Sequence, residues 1–223
     1  ARKLTADQKQ LISLGRGLVR EDVAGVLMDE PLTVIDPDLK FRLRRNLKEI
    51  NEQYKTTLVY VTHDQNEAMT FADNIIVMDQ GEIVQVGLPK DLFEKPRTTF
   101  VGYFIGSPAM NLFNSEILSD NSIKFNNDTI KTKTDLSKIK DKNVKLGIRS
   151  EFIKIATDQK ENIVSVKVTR VEDFGNFKLI TGKAGDLEIK SKVEREIPIS
   201  TEELKLHLPA EKCCIYSNEM LVN

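Results

Sequence analysis

The sequence predicts an α/β layer with a parallel sheet and an antiparallel edge, followed by a second, mostly antiparallel β domain. Helical and strand patterns alternate along the first part of the chain, and its strand segments are short apolar runs of the kind that a parallel sheet buries on both faces. The pattern changes near GSPAMN, at residues 106–111, beyond which segments such as SVKVTRV and LEIKSKV alternate polar and apolar residues. We therefore expect one domain over residues 1–107 and another over residues 108–223.

The first helix is predicted from a capping box in the segment LTADQ. Thr5 stands three residues before Gln8, the spacing at which the two side chains can satisfy free amide groups at a helix start. An apolar stripe follows, so we expect a helix over residues 5–20. Asp7 lies in its first turn, where the helix dipole stabilises negative charge and where a helix can also hold an anionic ligand.

The remaining elements follow from apolar runs and helix-start signals. Asp36 can cap a second helix that has Pro37 at its first position. The apolar residues of that helix recur at intervals of three and four, at Leu39, Leu43, Leu47, Ile50 and Tyr54. Strands are predicted at 24–28, 56–61, 75–78 and 82–86, the last two joined as a hairpin by DQG. Short helices are predicted in DQNEAMTFA, PKDLFEK and TTFVGYFIG, and the β domain is expected to be a small barrel.

The composition excludes several classes of function. Lys and Arg number 33 against 34 Asp and Glu, so the chain has no basic excess for nucleic acid or an anionic membrane. No apolar run has the length of a membrane-spanning helix. Cys213 and Cys214 are adjacent and lack metal-ligand spacing, so we expect buried free thiols, which favours a reducing, cytosolic setting.

Two acids and a histidine are the strongest candidates for chemistry. Asp29 and Glu30 end the apolar strand in VLMDEP, and His63 follows the next strand in VTHDQ. The carboxyl ends of parallel strands meet at one edge of an open α/β sheet, where ligands of such sheets bind. Paired carboxylates there can support a hydrated Mg²⁺ and activate a water, and a histidine can donate to a phosphate oxygen. Each residue alone also has an ordinary structural explanation, because loops after strands are polar and single histidines are usually structural.

The order of the segments LTADQ, VLMDEP, VIDPDL, VTHDQNEA and GEIVQVG resembles the carboxyl half of an ATP-binding-cassette (ABC) ATPase, from its signature to its switch histidine. The segment PKDLFEKPRTTFVGYFIGSPAMNLF resembles the branch that energises carbohydrate and glycerol-phosphate importers, and LGIRSEFI and VTRVEDFGNF are similar to its OB-like, transport-associated regulatory domain. The resemblance implies part of a P-loop NTPase domain joined to an OB-like β domain. It also implies an ATP-hydrolysing importer subunit at the cytoplasmic face of the cell membrane.

The resemblance implies roles for individual residues. Glu30 would polarise the attacking water, His63 would contact the γ-phosphate, and Asp29 would support the magnesium ion through water. Asp36 would belong to the loop that communicates across the dimer interface. The signature corresponds to Thr5, Ala6, Asp7 and Gln8. The implied ligands are ATP and Mg²⁺, and the implied partners are transmembrane permease subunits, a second ATPase subunit and, indirectly, a solute-binding protein.

Two departures from the family pattern affect the expected activity. No G-x-x-x-x-G-K-[ST] segment occurs in the chain, so the loop that cradles the phosphates is missing, and we expect a fragment that binds ATP very poorly alone. The family's signature reads L-S-G-G-Q, whereas here Ala6 and Asp7 replace both glycines and Thr5 keeps a hydroxyl. A methyl group and a negative charge where the γ-phosphate approaches should weaken ATP binding.

These departures leave alternatives open. The leading hypothesis is a heterodimer with one active and one impaired site, because a partner with an intact signature could complete the site formed by Glu30 and His63. A homodimer that tolerates Asp7 is the simpler alternative. The chain could instead be a regulatory or dimerisation module acting through its β domain, or part of the ATPase of a polyamine or iron importer.

Overall fold

The computed structural model describes residues 4–20, 23–199 and 202–222, and at Tyr54 the backbone alone. The chain forms two compact units, one up to Ile75 and the other from Ile76 onward. The domain boundary expected between residues 107 and 108 is inferred from a change in sequence pattern. Because the two units are defined by packing instead, that boundary stays a prediction.

The described part of the first unit contains three helices and a pair of strands, each within two residues of its predicted bounds. They are helix α1 (Ala6–Leu18), strand β1 (Gly25–Asp29), helix α2 (Pro37–Tyr54), strand β2 (Thr57–Val61) and helix α3 (Gln65–Phe71). The strands pair in parallel, as the sequence predicts for a β-α-β unit.

The second and third helices begin at aspartates that cap them. Asp36 Oδ1 accepts the Asp38 amide at 3.0 Å, and Pro37 occupies the first helical position of α2. Asp64 Oδ1 accepts the Asn66 amide at 2.8 Å at the start of α3. These bonds satisfy amide groups that have no partner inside the helix, so the short polar side chains fix where each helix starts.

The two faces of the β1–β2 sheet differ in their exposure. Asp29 pairs with Val61, so both strands end at the same edge. Met28 on one face is buried, whereas Leu27 on the opposite face is 81% exposed, and Val59 and Val61 are 47% and 53% exposed. The described residues of this unit therefore leave an apolar sheet face uncovered.

Strands β3 (Ile75–Asp79) and β4 (Glu82–Gly87) form a two-stranded sheet of their own. Gln80 and Gly81 join them with φ values of 49° and 83°, the left-handed conformations that two-residue hairpin turns require. The predicted hairpin is present, but among the described residues it does not extend the parallel pair into one larger sheet. The two strands of the hairpin pair through a short turn, so their pairing needs only neighbouring residues. A strand that joins a sheet in parallel needs a long crossover connection instead.

The second unit continues with helices α4 (Pro89–Glu94) and α5 (Thr99–Phe104) and then with the β domain. Its strands are β5 (Asn111–Ser119), β6 (Ser122–Phe125), β7 (Asp128–Lys131), β8 (Asn143–Ile148), β9 (Lys154–Ile155), β10 (Ile163–Asp173), β11 (Phe177–Ala184), β12 (Leu187–Glu194), β13 (Glu203–His207), β14 (Cys214–Ser217) and β15 (Met220–Leu221), with a 3₁₀ turn at Ala210–Lys212.

The β domain is built from two antiparallel sheets around a common core. The five-stranded sheet has the order β12-β11-β10-β13-β9, and the six-stranded sheet has the order β15-β14-β8-β5-β6-β7. Both sheets contribute inward side chains to one cluster, including Phe113, Phe125, Leu146, Val166, Ile180 and Ile189. In β10, the buried side chains of Val164, Val166 and Val168 alternate with exposed ones, as the alternating sequence pattern of this strand indicates.

Arg149, at the end of β8, is fully buried and binds backbone carbonyl groups of the helical segment. Its Nε donates to the Phe93 carbonyl oxygen at 2.9 Å, and its Nη1 donates to the carbonyl oxygens of Gly102, at 2.8 Å, and Ile105. The guanidinium carbon also lies 4.5 Å from the centre of the Phe93 ring. Burial lowers the pKa of this guanidinium. Arg149 thus joins the ends of α4 and α5 to the β domain within the second unit.

The prediction of free thiols is confirmed, because Cys213 and Cys214 are buried and unbonded to each other. Among the helices of the described ranges, none is long and apolar enough to span a membrane.

Candidate functional site

The predicted acid pair and histidine meet at the carboxyl edge of the β1–β2 sheet. Asp29 is the last residue of β1, and the Glu30 amide continues the pairing by donating to the Val61 carbonyl oxygen at 2.9 Å. His63 follows β2 by two residues, and its backbone amide donates to Glu30 Oε1 at 3.0 Å. Parallel pairing in this register brings two segments more than 30 residues apart in sequence to one place.

Both carboxylate oxygens of Glu30 are held in place. Thr33 Oγ1 donates to Glu30 Oε2 at 2.7 Å, and His63 Nδ1 lies 2.5 Å from Glu30 Oε1. The Glu30 backbone has a φ of 47°, in the left-handed region that a non-glycine residue adopts only when its surroundings enforce it. The Thr33 hydroxyl and then the His63 ring lower the pKa of the Glu30 carboxyl below its ordinary value. The side chain is therefore a fixed, negatively charged acceptor at neutral pH.

The His63 ring is open to a ligand at this edge. Its side chain is 76% exposed, and Nδ1 is the ring nitrogen that faces Glu30. A ligand can therefore approach the other nitrogen, Nε2. A neutral imidazole carries only one N–H, so the ring can donate to Glu30 and to a second acceptor together only as an imidazolium.

Asp29 precedes Glu30 in the sequence and Asp36 follows it, and the two aspartates have different surroundings. Asp29 is exposed at the strand end. Asp36 uses a carboxylate oxygen to cap α2, so its position is fixed by the helix that it starts. The role of Asp36 across a dimer interface remains a prediction.

The four residues of the altered signature form the start of α1. The Thr5 amide donates to Gln8 Oε1 at 3.2 Å, which is the predicted capping-box contact. Ala6 is the first helical residue, and the Thr5 hydroxyl donates to the Asp7 carboxylate. That bond is the main cause that lowers the pKa of Asp7, so a negative charge stands at the helix N-terminus.

A hydrogen bond joins helix α1 to the segment after Glu30, with Gln10 Nε2 donating to the Pro31 carbonyl oxygen at 3.0 Å. The hydrogen bonds found for Thr5 and Asp7 within the described residues stay inside α1. The structure therefore brings Asp29, Glu30 and His63 together and leaves the signature as a separate group.

Two residues near the site, Thr33 and Glu67, were not predicted from the sequence. Thr33 stands three residues after Glu30, a spacing at which a turn can bring the two side chains together, but this becomes visible only once the turn is known. Glu67 is 2% exposed in α3, where its Oε2 accepts hydrogen bonds from Tyr60 and Thr62. Glutamate is rarely buried, so an amphipathic helix pattern predicts this position as exposed.

The site fits a magnesium ion that is bound mainly through a nucleotide. No group of three or more His, Cys, Asp and Glu side chains within the described ranges could hold a metal ion by itself. Mg²⁺ in nucleotide sites keeps several waters and takes one or two carboxylates together with phosphate oxygens. One exposed carboxylate, Asp29, beside the anchored Glu30 is consistent with that ligand set.

In comparisons with known proteins, the chain is similar to ABC-transporter ATP-binding proteins. Residues 106–153 match the family model described as the MalK OB fold domain. The chain is 36% identical, over 222 residues, to the "sn-glycerol-3-phosphate import ATP-binding protein UgpC" of Pectobacterium atrosepticum, covering 98% of the chain and 61% of that protein. It has the same identity to the protein of that name from Salmonella typhimurium, covering 98% of the chain and 62% of the relative. It is 37% identical, over 227 residues, to the "Uncharacterized ABC transporter ATP-binding protein YcjV" of Escherichia coli O157:H7, covering 97% of the chain and 61% of that protein.

Proposed function

We propose that the chain is the carboxyl-terminal part of an ABC-transporter ATP-binding protein like UgpC, and that it forms part of the ATP-hydrolysing subunit of an importer. It spans about three fifths of the length of these curated relatives. The proposal therefore concerns a longer subunit that contains this chain. The solute that fits the printed name of these relatives is glycerol phosphate.

The observation that carries the proposal is the anchored Glu30 beside His63 at the sheet edge. Hydrolysis of ATP requires a water to attack the γ-phosphorus while the bond to the bridging oxygen breaks, releasing ADP and phosphate. Glu30, which is held by Thr33 and His63, would accept a hydrogen bond from that water. Little covalent chemistry is required of the protein, so a carboxylate with a fixed position and a lowered pKa suits this role.

His63 would donate a hydrogen bond to a γ-phosphate oxygen. Because its Nδ1 faces Glu30 in the structure, it can do so from Nε2 as an imidazolium, or from Nδ1 after leaving Glu30. Asp29 would hold the magnesium ion through water, and when bound the ion supplies charge neutralisation on the phosphates.

The signature at the start of α1 would face the nucleotide held by a second subunit. Asp7 places a carboxylate where the family pattern has glycine, and its pKa is lowered, so it is charged at neutral pH. A like charge opposes an incoming phosphate. We therefore infer that the site completed by this signature is impaired, and a partner subunit with an intact signature would give one active and one impaired site.

The proposed setting is the cytoplasmic face of the cell membrane, with the subunit bound to transmembrane permease subunits and to a second ATPase subunit. A solute-binding protein would act only indirectly. The support is the family of the relatives, which are named as import ATP-binding proteins.

Steady-state ATP hydrolysis by the full-length subunit, with its partner subunits, tests the proposal. Glu30→Gln should lower the turnover number by about 100-fold or more, because the water loses its charged acceptor. Glu49→Gln is the matched control: Glu49 is an exposed acid that pairs with Arg45 on α2, and its loss should leave turnover unchanged. Full turnover in Glu30→Gln would contradict the role of Glu30, and a wild-type subunit without ATP hydrolysis would overturn the proposed function.

The same assay tests Asp7. Asp7→Gly should raise the turnover number. Asp7→Asn removes the charge and keeps the side-chain volume, so it should also raise turnover, by a smaller amount, if the charge impairs the site. Unchanged turnover in both variants would support a signature that tolerates Asp7, and with it the homodimer.

A further inference from the structure

Among the described residues of the first unit, the most deeply buried acid lies beside the candidate site rather than in it. Glu67, on α3, is 2% exposed. Its Oε2 accepts a hydrogen bond from the Tyr60 hydroxyl at 2.8 Å and from the Thr62 hydroxyl at 3.1 Å. Burial and this carboxylate together raise the pKa of the Tyr60 phenol, so Tyr60 remains a donor. Both donors lie on the strand end that leads directly to His63.

Thr62 connects Glu67 to the turn that carries His63. The Thr62 oxygen donates to Glu67 and accepts the Asp64 amide at 3.0 Å. The two residues that flank His63 are thereby tied to one another and to a buried carboxylate. His63 in turn donates its backbone amide to Glu30 at 3.0 Å. A shift of the Glu67 carboxylate would thus be passed, through the Thr62 hydroxyl, to the residues on both sides of His63.

The other carboxylate oxygen of Glu67 faces helix α2. Lys40 Nζ lies 3.5 Å and Arg44 Nη1 lies 3.8 Å from Glu67 Oε1. Within the described residues this oxygen accepts no hydrogen bond, so the two cations balance its charge by electrostatic attraction. A buried carboxylate is costly unless its charge is compensated, and here the compensation comes from the helix that begins at Asp36.

We propose that Glu67 is a positioning residue that joins helix α2, which begins at Asp36, to the turn that carries His63. Its two carboxylate oxygens have different partners. Oε2 accepts the hydrogen bond from Thr62, and Oε1 attracts Lys40 and Arg44. A residue that served packing alone would not need a charge or two polar partners on the strand end beside the site. The part of this proposal that concerns ATP hydrolysis rests on the proposed function, whereas the part that concerns the position of His63 does not.

The ring resonances of the histidines test the structural part without nucleotide. The chain has two histidines, so an NMR spectrum of labelled imidazole rings shows one signal from His63 and one from His207, on strand β13 of the other unit. Glu67→Gln and Thr62→Val should shift the His63 signal and leave the His207 signal in place. Thr62→Ser keeps the hydroxyl and should restore the wild-type position. Glu49→Gln, on the exposed side of α2, should shift neither signal.

The proposal is contradicted if the His63 signal stays in place in both Glu67→Gln and Thr62→Val while the melting temperature of these variants falls. Glu67 would then stabilise the unit without positioning His63. If Glu67→Gln unfolds the unit, Thr62→Val decides alone, since it removes one hydroxyl from a half-buried strand end. A His63 shift in Thr62→Ser as large as in Thr62→Val would also overturn the proposal.

Kinetics of the full-length subunit test the catalytic part. Glu67→Gln and Thr62→Val should lower kcat for ATP by on the order of tenfold with little change in KM, because a displaced His63 affects the reacting phosphate more than nucleotide binding. Thr62→Ser should retain kcat. An equal loss in Thr62→Ser, or a change confined to KM, would overturn the positioning role. A wild-type subunit that hydrolyses no ATP would instead refute the proposed function, and the histidine spectra would still decide how His63 is held.

Discussion

Glu30 combines a left-handed backbone with a carboxylate held at both oxygens. Its φ of 47° is unfavourable for a residue with a side chain, and the surrounding bonds to Val61, Thr33 and His63 maintain it. The sequence was sufficient to predict that Asp29, Glu30 and His63 meet, because parallel strands end at one edge. It was not sufficient to predict Thr33 or Glu67, because their roles depend on the path of a turn and on burial.

Removing the Thr33 hydroxyl should release part of the constraint on Glu30. The hydroxyl is the first cause of the lowered pKa of Glu30, so Thr33→Val should raise that pKa towards its ordinary value. A lowered pKa in the folded state contributes stability above the ordinary carboxyl pKa, and that contribution is lost as the pH falls through the folded-state pKa. Thr33→Val should therefore show a smaller loss of stability on acidification than the wild type.

A pH titration of the Glu30 carboxyl carbon by NMR measures this effect directly. Thr33→Ser keeps the donor and serves as the control that should titrate like the wild type. An unchanged Glu30 titration in Thr33→Val would mean that His63 alone sets the state of the carboxylate.

The helices and hairpin that carry local signals were predicted well, and the long-range arrangement of Arg149 was not. Asp36 with Pro37 and the DQG turn act within a few residues, so the sequence contains what determines them. Arginine is usually exposed, so nothing in the sequence by itself marks Arg149 as fully buried. Its position follows from carbonyl groups more than 40 residues away, which only the folded chain brings together.

Replacing Arg149 should destabilise the second unit through the helical segment. Arg149→Met removes the hydrogen bonds to Phe93, Gly102 and Ile105. Because hydrogen bonds to charged groups contribute more than neutral ones, we expect the free energy of unfolding to fall by roughly 2–4 kcal/mol. Urea unfolding followed by circular dichroism measures the loss, and hydrogen exchange should show it first in α4 and α5. Lys154→Met, an exposed cation on β9, is the control that should have little effect. Equal stability of the two variants would show that the buried guanidinium contributes no net stability.

The molecule as a whole contains one part of the proposed nucleotide site. It has an anchored acid and a histidine at a sheet edge and a signature at the start of α1, but the sequence contains no phosphate-cradling G-x-x-x-x-G-K-[ST] segment. The curated relatives are longer, and the uncovered apolar face with Leu27, Val59 and Val61 is a surface that a further segment of sheet or helix could cover. The sequence pattern therefore predicted that the acids and the histidine lie together, whereas the uncovered face became evident only in the fold.

Nucleotide binding should consequently depend on residues outside these 223. A ligand that binds only the folded state at 100 times its Kd adds about 2.7 kcal/mol of stability, which corresponds to a shift of several degrees in a domain of this size. Asp29 and Glu30 are both acids, so without a phosphate cradle the carboxylates at the sheet edge oppose the binding of phosphates rather than support it. We expect no resolvable change in the melting temperature of the chain at millimolar Mg-ATP, whereas the melting temperature of the full-length subunit should rise by several degrees. Differential scanning fluorimetry measures both, with Mg²⁺ alone as the control. A comparable shift in the chain itself would show that its own residues bind the phosphates and that the missing motif is dispensable.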